Sequence, residues 1–488
     1  QQEISAKTCL FLDMDHDGDL DIFLGGKSDM ILRNNGNLTF QNITAQMNFG
    51  ENESISTDAD LGDFDDDGDI DLFVTRLDGK NILYSNLRRG KFSNVTLEAG
   101  IISMSSSSAS AIGDYNNDGF LDIFITTVDG SKSKLFMNKK NGSFKEDKAS
   151  STTFNSLRFA KINDVTFLDF DNDGYQDLLV VGEGLDSGKR GVFLLHNNGG
   201  KFSNKSNLLA KGLSEGKQIA LGDYNSDGDL DLYLADDNGK LRLFRNDGGN
   251  NNHYLKMKLV GLKAGSAKNN HFGIGAKIEV RAGDLYQMQV VTSPNIHFGM
   301  GNRTKADVVR ILWTNGVPQN IFSPGSDEDL IEAQELKGSC PFLYTWNGSE
   351  YVFVKDMMWR SALGMPLGIM GGKEAFAFAD ASKEYLKIPG ELLQEKNGKY
   401  TIQITEELWE TIYCDEIKLI AVDHPIGIDI YVDEKFAGPP YPELKIYNVK
   451  NHRLPVAAKD EKGNDLLHLI SKKDNQYISN FQREKYQG

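Results

Sequence analysis

The chain has 488 residues, 53 basic against 70 acidic side chains and a formal net charge of −17, with 39% hydrophobic and 10% aromatic residues. That length sets a prior of roughly two to four domains, the composition is that of a folded protein, and the acidic balance argues against nucleic acid, because phosphate contacts need Lys and Arg. No run of about 18 apolar residues predicts a membrane span, and three scattered cysteines, Cys9, Cys340 and Cys414, exclude a disulfide framework.

From the amino terminus, five segments repeat in register. They read LDMDHDGDLDIFLGG from Leu12, GDFDDDGDIDLFVTR from Gly62, GDYNNDGFLDIFITT from Gly113, LDFDNDGYQDLLVVG from Leu168 and GDYNSDGDLDLYLAD from Gly222. Their first aspartates are 50, 51, 55 and 54 residues apart. Between 21 and 28 residues after each first aspartate, a second recurring element ends in asparagine: Asn34, Asn86, Asn138, Asn197 and Asn246. A period near fifty with several short strands per unit fits a β-propeller blade. The strand after each loop is apolar in both phases, with Leu20, Ile22 and Leu24 alternating with Phe23 in the first copy. A strand buried on both faces reads this way.

Counted from the first aspartate, positions 1, 3, 5 and 9 carry Asp, Asp or Asn, Asp, and Asp, and position 6 is always glycine. Calcium takes six to eight hard oxygens in a flexible cage. Carboxylates turned inward at odd positions supply them, glycine permits the sharp turn, and position 7 gives a backbone carbonyl. The candidate ligands are Asp13, Asp15, Asp17, Asp19 and Asp21; Asp63, Asp65, Asp67, Asp69 and Asp71; Asp114, Asn116, Asp118, Phe120 and Asp122; Asp169, Asp171, Asp173, Tyr175 and Asp177; and Asp223, Asn225, Asp227, Asp229 and Asp231. An EF-hand would need a bidentate glutamate at position 12. That position holds Leu24, Val74, Ile125, Val180 or Leu234, so the ninth aspartate takes its part. One acidic turn alone would say little. Five copies in register predict five Ca2+ ions, one per loop, with a chiefly structural role.

These repeats resemble the FG-GAP or VCBS repeats of integrin α-chain propellers and their bacterial relatives, over about residues 1–249. The resemblance implies a propeller and marks the same aspartates as calcium ligands. Integrin-type propellers carry more blades than the five copies read here.

Residues 250–337 lack the loop. Alternation at Tyr254–Leu259, Ala276–Val280 and Val308–Trp313 predicts strands, with Asn315-Gly316 as a hairpin turn. Gly273-Ile274-Gly275-Ala276, His297-Phe298-Gly299-Met300-Gly301 and Trp313-Thr314-Asn315-Gly316 resemble the ASPIC/UnbV domain, a resemblance that implies no established reaction. The glycines at 273–275 lack the helix and Lys-Ser/Thr of a phosphate loop. His271 and His297 are read as structural rather than as ligands or bases.

In residues 338–488, strands are expected at Phe342–Trp346, Tyr351–Lys355, Tyr400–Thr405, Glu416–Val422 and Ile428–Val432, with a short helix or turn at Glu406–Glu410. CPFLYTWNG, LGMPLG, YLKIPGELL and LIAVDHP resemble an uncharacterised extension of proteins that carry the two preceding regions, and such extensions run on past a point like Gly488. Met357, Met358, Met365 and Met370 near Trp359 would suit copper, but methionines more often fill gaps in packing. Asp423-His424 has no serine or cysteine elbow to make a hydrolase.

The expected fold is all-β: a propeller of calcium-loop repeats at 1–249, then β-sandwich-like regions at 250–337 and 338–488. The expected role is an extracytoplasmic platform, secreted, periplasmic or at the cell surface, with a protein or glycan ligand at the propeller rim. Two alternatives stand beside it. One is an enzyme with its site beyond residue 250; the other is a structural subunit of a cell envelope or larger assembly.

Overall fold

The apolar runs become strands, and each repeat becomes one sheet. The computed structural model describes residues 6–471 apart from 38, 48–53, 88–90, 102–105, 129–132, 185–189, 210–215, 237, 249–250, 263–268, 336–340, 358–365, 371–372, 377–380, 406–413, 435–439, 452 and 461. The first sheet holds β1 (Ala6–Leu12), β2 (Asp21–Gly26), β3 (Met30–Asn34) and β4 (Phe40–Asn42). The second holds β5 (Ser56–Gly62), β6 (Asp71–Arg76), β7 (Ile82–Asn86) and β8 (Phe92–Asn94); the third, β9 (Ser107–Gly113), β10 (Asp122–Thr127), β11 (Lys134–Asn138) and β12 (Phe144–Glu146). The fourth holds β13 (Phe159–Leu168), β14 (Asp177–Gly184), β15 (Arg190–Asn197) and β16 (Phe202–Asn204); the fifth, β17 (Gln218–Gly222), β18 (Asp231–Ala235) and β19 (Leu241–Phe244). All are antiparallel meanders in chain order.

The aspartate loop joins first strand to second in every sheet, in one register. The residue before position 1 pairs with the ninth aspartate: Leu12 with Asp21, Gly62 with Asp71, Gly113 with Asp122, Leu168 with Asp177 and Gly222 with Asp231. First strands lie side by side, β1 next to β5, then β9, β13 and β17. The second strands of the inner repeats are sandwiched between neighbouring sheets, and β6 and β10 are buried along their whole length. Phe73, Leu83, Ile123 and Phe136 fill the space between second and third sheets, and Leu179, Val181, Leu194 and Leu234 that between fourth and fifth. Each such side chain contributes about 1.5–3 kcal/mol on leaving water. One helix, α1 (Lys148–Asn155), interrupts the pattern. Asp147 caps it, and its Phe154 packs against Phe124 and Phe159.

Residues 253–333 form two facing sheets. One has the order β23-β20-β26, from β20 (His253–Val260), β23 (Ile296–Gly301) and β26 (Glu328–Ala333), with β20 and β26 parallel. The other has the order β22-β21-β24-β25, from β21 (Lys277–Ala282), β22 (Leu285–Val290), β24 (Val308–Leu312) and β25 (Pro318–Phe322). The expected hairpin turn is present, with the Gly316 N–H donating to the Trp313 carbonyl at 2.7 Å. The inward residues Leu255, Met257, Ile278, Val280, Phe298 and Ile311 share one core with Leu12, Met14, Phe23, Leu72 and Tyr84 of the first two repeats. Residues 1–337 are therefore one compact unit.

Residues 338–488 form a second unit. β27 (Phe342–Trp346) pairs with β28 (Tyr351–Asp356) and β31 (Ile402–Thr405); β29 (Pro366–Met370) pairs with β30 (Lys373–Phe376), and β32 (Ile428–Val432) with β33 (Ile446–Lys450). The strand expected at Glu416–Val422 does not form. That run has strand-type residues but no partner strand beside it among the described residues, and Ile417, Leu419 and Ile420 are more than half exposed at 58%, 52% and 53%. Glu406–Glu410, Met358, Trp359, Met365 and Cys340 lie outside the described residues. Cys9 and Cys414 are free and exposed.

Candidate metal centres

One set of hydrogen bonds builds all five loops. Position 4 adopts the left-handed region, at φ of 57° for His16, 61° for Asp66, 56° for Asn117, 58° for Asn172 and 60° for Ser226. The glycine at position 6 follows with φ between 80° and 96°, a conformation that costs glycine least. The position 1 carboxylate accepts that glycine's N–H, at 3.0 Å from Gly18, 3.1 Å from Gly68, 2.8 Å from Gly119 and Gly174, and 3.0 Å from Gly228. The position 5 carboxylate accepts the N–H of position 7, at 2.8–3.2 Å in all five copies.

The ninth aspartate does more than face the loop. One of its oxygens accepts the N–H of position 2, from Met14, Phe64, Phe170 and Tyr224. The other accepts the N–H of the asparagine closing the third strand, at 2.8 Å for Asn34, Asn86, Asn138 and Asn246 and 2.6 Å for Asn197. That asparagine then reaches into the preceding repeat. Its amide donates to the position 2 carbonyl there: Asn86 to Met14 at 3.1 Å, Asn138 to Phe64 at 2.8 Å, Asn197 to Tyr115 at 2.7 Å and Asn246 to Phe170 at 2.7 Å. The sequence displayed the recurring asparagine, but its partner stands 72 to 82 residues away. Asn197→Asp is expected to cost at least about 2 kcal/mol in urea unfolding of the calcium-loaded chain, because buried carbonyls lose their donor and face a carboxylate. A loss below about 0.5 kcal/mol would reduce the latch to an incidental contact.

Within this frame the carboxylates crowd. Asp13, Asp15 and Asp17 converge, as do Asp63, Asp65 and Asp71, and Asp169, Asp171 and Asp177, each group with ligand oxygens within 4.8 Å of one another. Burial, then like charge, pushes the carboxyls of Asp13 and Asp63 up to about 7. Burial likewise takes Asp21 and Asp114 to about 7 and Asp122 and Asp177 to about 9, against the backbone hydrogen bonds they accept. Oxygens of Asp13, Asp15, Asp122 and Asp171 are buried without a hydrogen-bond partner. Orphaned acceptors in a self-repelling, oxygen-only set are what a hard divalent cation neutralises, so these residues fit such an ion.

The loops are not equivalent. Asn116 and Asn225 replace the third-position aspartate in the third and fifth. In the fifth, the Lys256 ammonium lies 2.9 Å from Asp223 Oδ2. Burial would raise the Asp223 carboxyl, but Lys256 and the Gly228 N–H outweigh it and hold it below its ordinary value. An internal cation thus serves the loop that is most open. The position 7 side chains of Asp69 and Asp229 are engaged elsewhere, by His16 at 3.0 Å and Asn172 at 3.0 Å.

The loop face also carries the sandwich. His16 Nδ1 donates to the Thr314 carbonyl at 2.7 Å, Lys277 pairs with Asp66 at 2.7 Å, and His297 Nε2 lies 2.6 Å from Asn172 Oδ1. A Cβ on Gly299 would stand 2.0 Å from Asp169 Oδ2, and one on Gly228 would stand 1.8 Å from the Tyr254 ring. His297 is 9% exposed, and burial pushes its imidazole down to about 4, so it is neutral at pH 7. His271 is exposed and packs edge-on to Phe272. His424 Nδ1 approaches only the Pro425 carbonyl, at 3.3 Å, among the described residues.

Comparison with known families matches residues 13–74, 63–125, 114–180 and 169–234 to the FG-GAP-like repeat, and residues 265–335 to ASPIC and UnbV. The chain joins FG-GAP-like repeats to an ASPIC and UnbV domain. Each FG-GAP match runs from one aspartate loop through the strand after the next, and the latch asparagine that clasps the first loop lies 12 to 17 residues beyond its end. Human cartilage acidic protein 1 is 26% identical over 288 residues, which cover 54% of this chain and 41% of that protein. The chain thus spans about two fifths of the length of that relative. No helix among the described residues is long and apolar enough to cross a membrane.

Proposed function

We propose that this chain is an extracytoplasmic, calcium-rigidified platform that binds a protein or glycan. The observation that supports the reading is the seating of the ASPIC domain on the FG-GAP loops, through Thr314, Lys277, His297 and Gly299. Bound calcium would be held by the odd-numbered carboxylates of the first four loops, where it would neutralise the crowded charge, with the fifth loop weakest because Lys256 already serves it. Its part is structural. With the loop face covered, the rim left for a partner is the opposite one, formed by turns such as Leu77–Asn81.

The enzyme alternative has one observation in its favour, a cavity of about 660 Å³ between the first strands and the ASPIC domain, lined in part by Asp60, Ser110 and Gln176. Its described lining brings no histidine to that acid, so the platform ranks first. Binding of the intact chain to glycan arrays and to extracellular-matrix proteins is expected in millimolar calcium and is expected to vanish in EDTA. Substitutions of the exposed Leu77 and Lys80 in that turn should abolish it without changing the calcium-loaded melt. Absence of any calcium-dependent binding across both libraries would overturn the platform reading.

A further inference from the structure

The fourth loop differs from the others in a way the calcium reading does not use. The residue before the latch asparagine is Arg33, Ser85, Met137 and Arg245 in the other four repeats, and His196 in the fourth. His196 stands on β15, a different strand from the loop, yet its Nε2 lies 3.3 Å from Asp171 Oδ2 and 3.6 Å from Asp173 Oδ2. Asp171, Asp173 and His196 form one convergent group, and Asp171 also belongs to the group with Asp169 and Asp177.

Those separations are long for a charge-assisted hydrogen bond, which closes to about 2.7–2.9 Å. They match the spacing between donors on one tetrahedral ion: metal–ligand bonds of about 2.0–2.2 Å place neighbouring donors about 3.3–3.6 Å apart. His196 Nε2 is buried with no hydrogen-bond partner, and so is Asp171 Oδ1 in the same cluster. The edge of Phe170, 5.6 Å away by centroids, fixes the ring's plane. Asp169, Asn172 and Asp177 around it are buried, at 6%, 1% and 0% exposed, and the three donors themselves are half-buried. Imidazole nitrogen is a ligand for borderline transition ions, whereas calcium prefers an all-oxygen shell.

We propose that the fourth loop binds a zinc-class divalent ion through His196 Nε2, Asp171 and Asp173. His196 stands among the carboxylates of its own loop, whereas His16 of the first loop is turned to the Thr314 carbonyl and to Asp69 of the second repeat, so the fourth site selects a different metal. This rests on the same loops as the calcium reading: Asp171 and Asp173 serve either ion, so at the fourth loop the zinc-class ion displaces calcium, and the two readings separate in one experiment.

The intact chain, stripped with EDTA and returned to millimolar calcium, is titrated with Co2+ as a visible-absorbing stand-in for zinc. One equivalent is expected to bind, with the d–d bands of a four-coordinate ion that Zn2+ then bleaches. His196→Ser places in the fourth repeat the residue the second repeat carries at Ser85, so its calcium-loaded melt should match the parent. In that variant the bands should vanish and zinc affinity should fall by more than the about 10–100-fold that loss of an outer-shell partner costs. Identical bands in His196→Ser, or no Co2+ bound in the parent while calcium still binds, would overturn the zinc site and leave the calcium reading standing. Loss of calcium binding as well would overturn both.

Discussion

Transfer of the intact chain from millimolar calcium to EDTA is expected to lower its melting temperature by about 10–20 °C. At free calcium a hundredfold above the dissociation constant, each filled loop adds about 2.7 kcal/mol. Four loops of that kind add roughly 11 kcal/mol, as much as the whole stability of an ordinary domain. The physical source is the crowding in the structure: Asp13, Asp15 and Asp17 converge in one small volume, with oxygens that no N–H reaches. Differential scanning calorimetry in calcium and in EDTA measures the difference. Because the ASPIC domain shares its core with the first two repeats, the loss should appear in the transition of residues 1–337, and the second unit should melt unchanged. An unchanged melt of the first unit would remove the metal from these loops.

The metal-free chain is also expected to gain stability on acidification from about pH 8 to about pH 5.5, and the calcium-loaded chain to lose it. The folded carboxyls of Asp13, Asp21, Asp63 and Asp114 lie near 7 and those of Asp122 and Asp177 near 9, all above the ordinary 3.8. A raised folded value means the native state holds more protons. Its stabilising contribution is complete below about 3.8 and is lost as pH rises through 7, and through 9 for the last two. A shift of three units on one carboxyl is worth about 4 kcal/mol, shared among neighbours that titrate together. Calcium takes the place of those protons, so in its presence acid displaces the ion and the slope changes sign. Asp60 and Asp164 of the first strands are raised too, by burial first, and contribute alike with and without calcium. Subtracting the two denaturation series therefore isolates the loops. Parallel slopes would mean the loop carboxylates are not what calcium neutralises.

The fold and the loops were legible because both are written locally. A fifty-residue period, glycine at position 6 and doubly apolar strands after each loop lie within one repeat. What was not legible is written across repeats. Asn197 recurs with its fellows, yet nothing near it in the chain names the Tyr115 carbonyl. The docking of the ASPIC domain was hidden because it uses position 4, which changes chemistry from His16 to Asp66 to Asn172, and glycines whose value is the absence of a side chain. Lys256 on Asp223 and His196 beside Asp171 show the same limit: each changes a loop's chemistry from outside its fifteen residues. At Glu416–Val422 the error ran the other way, since alternation signals a strand only where a partner strand lies beside it.

The asparagine latch runs in one direction, from each repeat back to the loop before it. A chain made from its amino terminus therefore cannot clasp a loop until 72 to 82 further residues have followed the carbonyl to be held. Completion of each loop trails synthesis by about one and a half repeats. A chain stalled between repeats would display its newest loop unclasped, with acidic side chains and free backbone open to proteases, while the loops behind it are already shut.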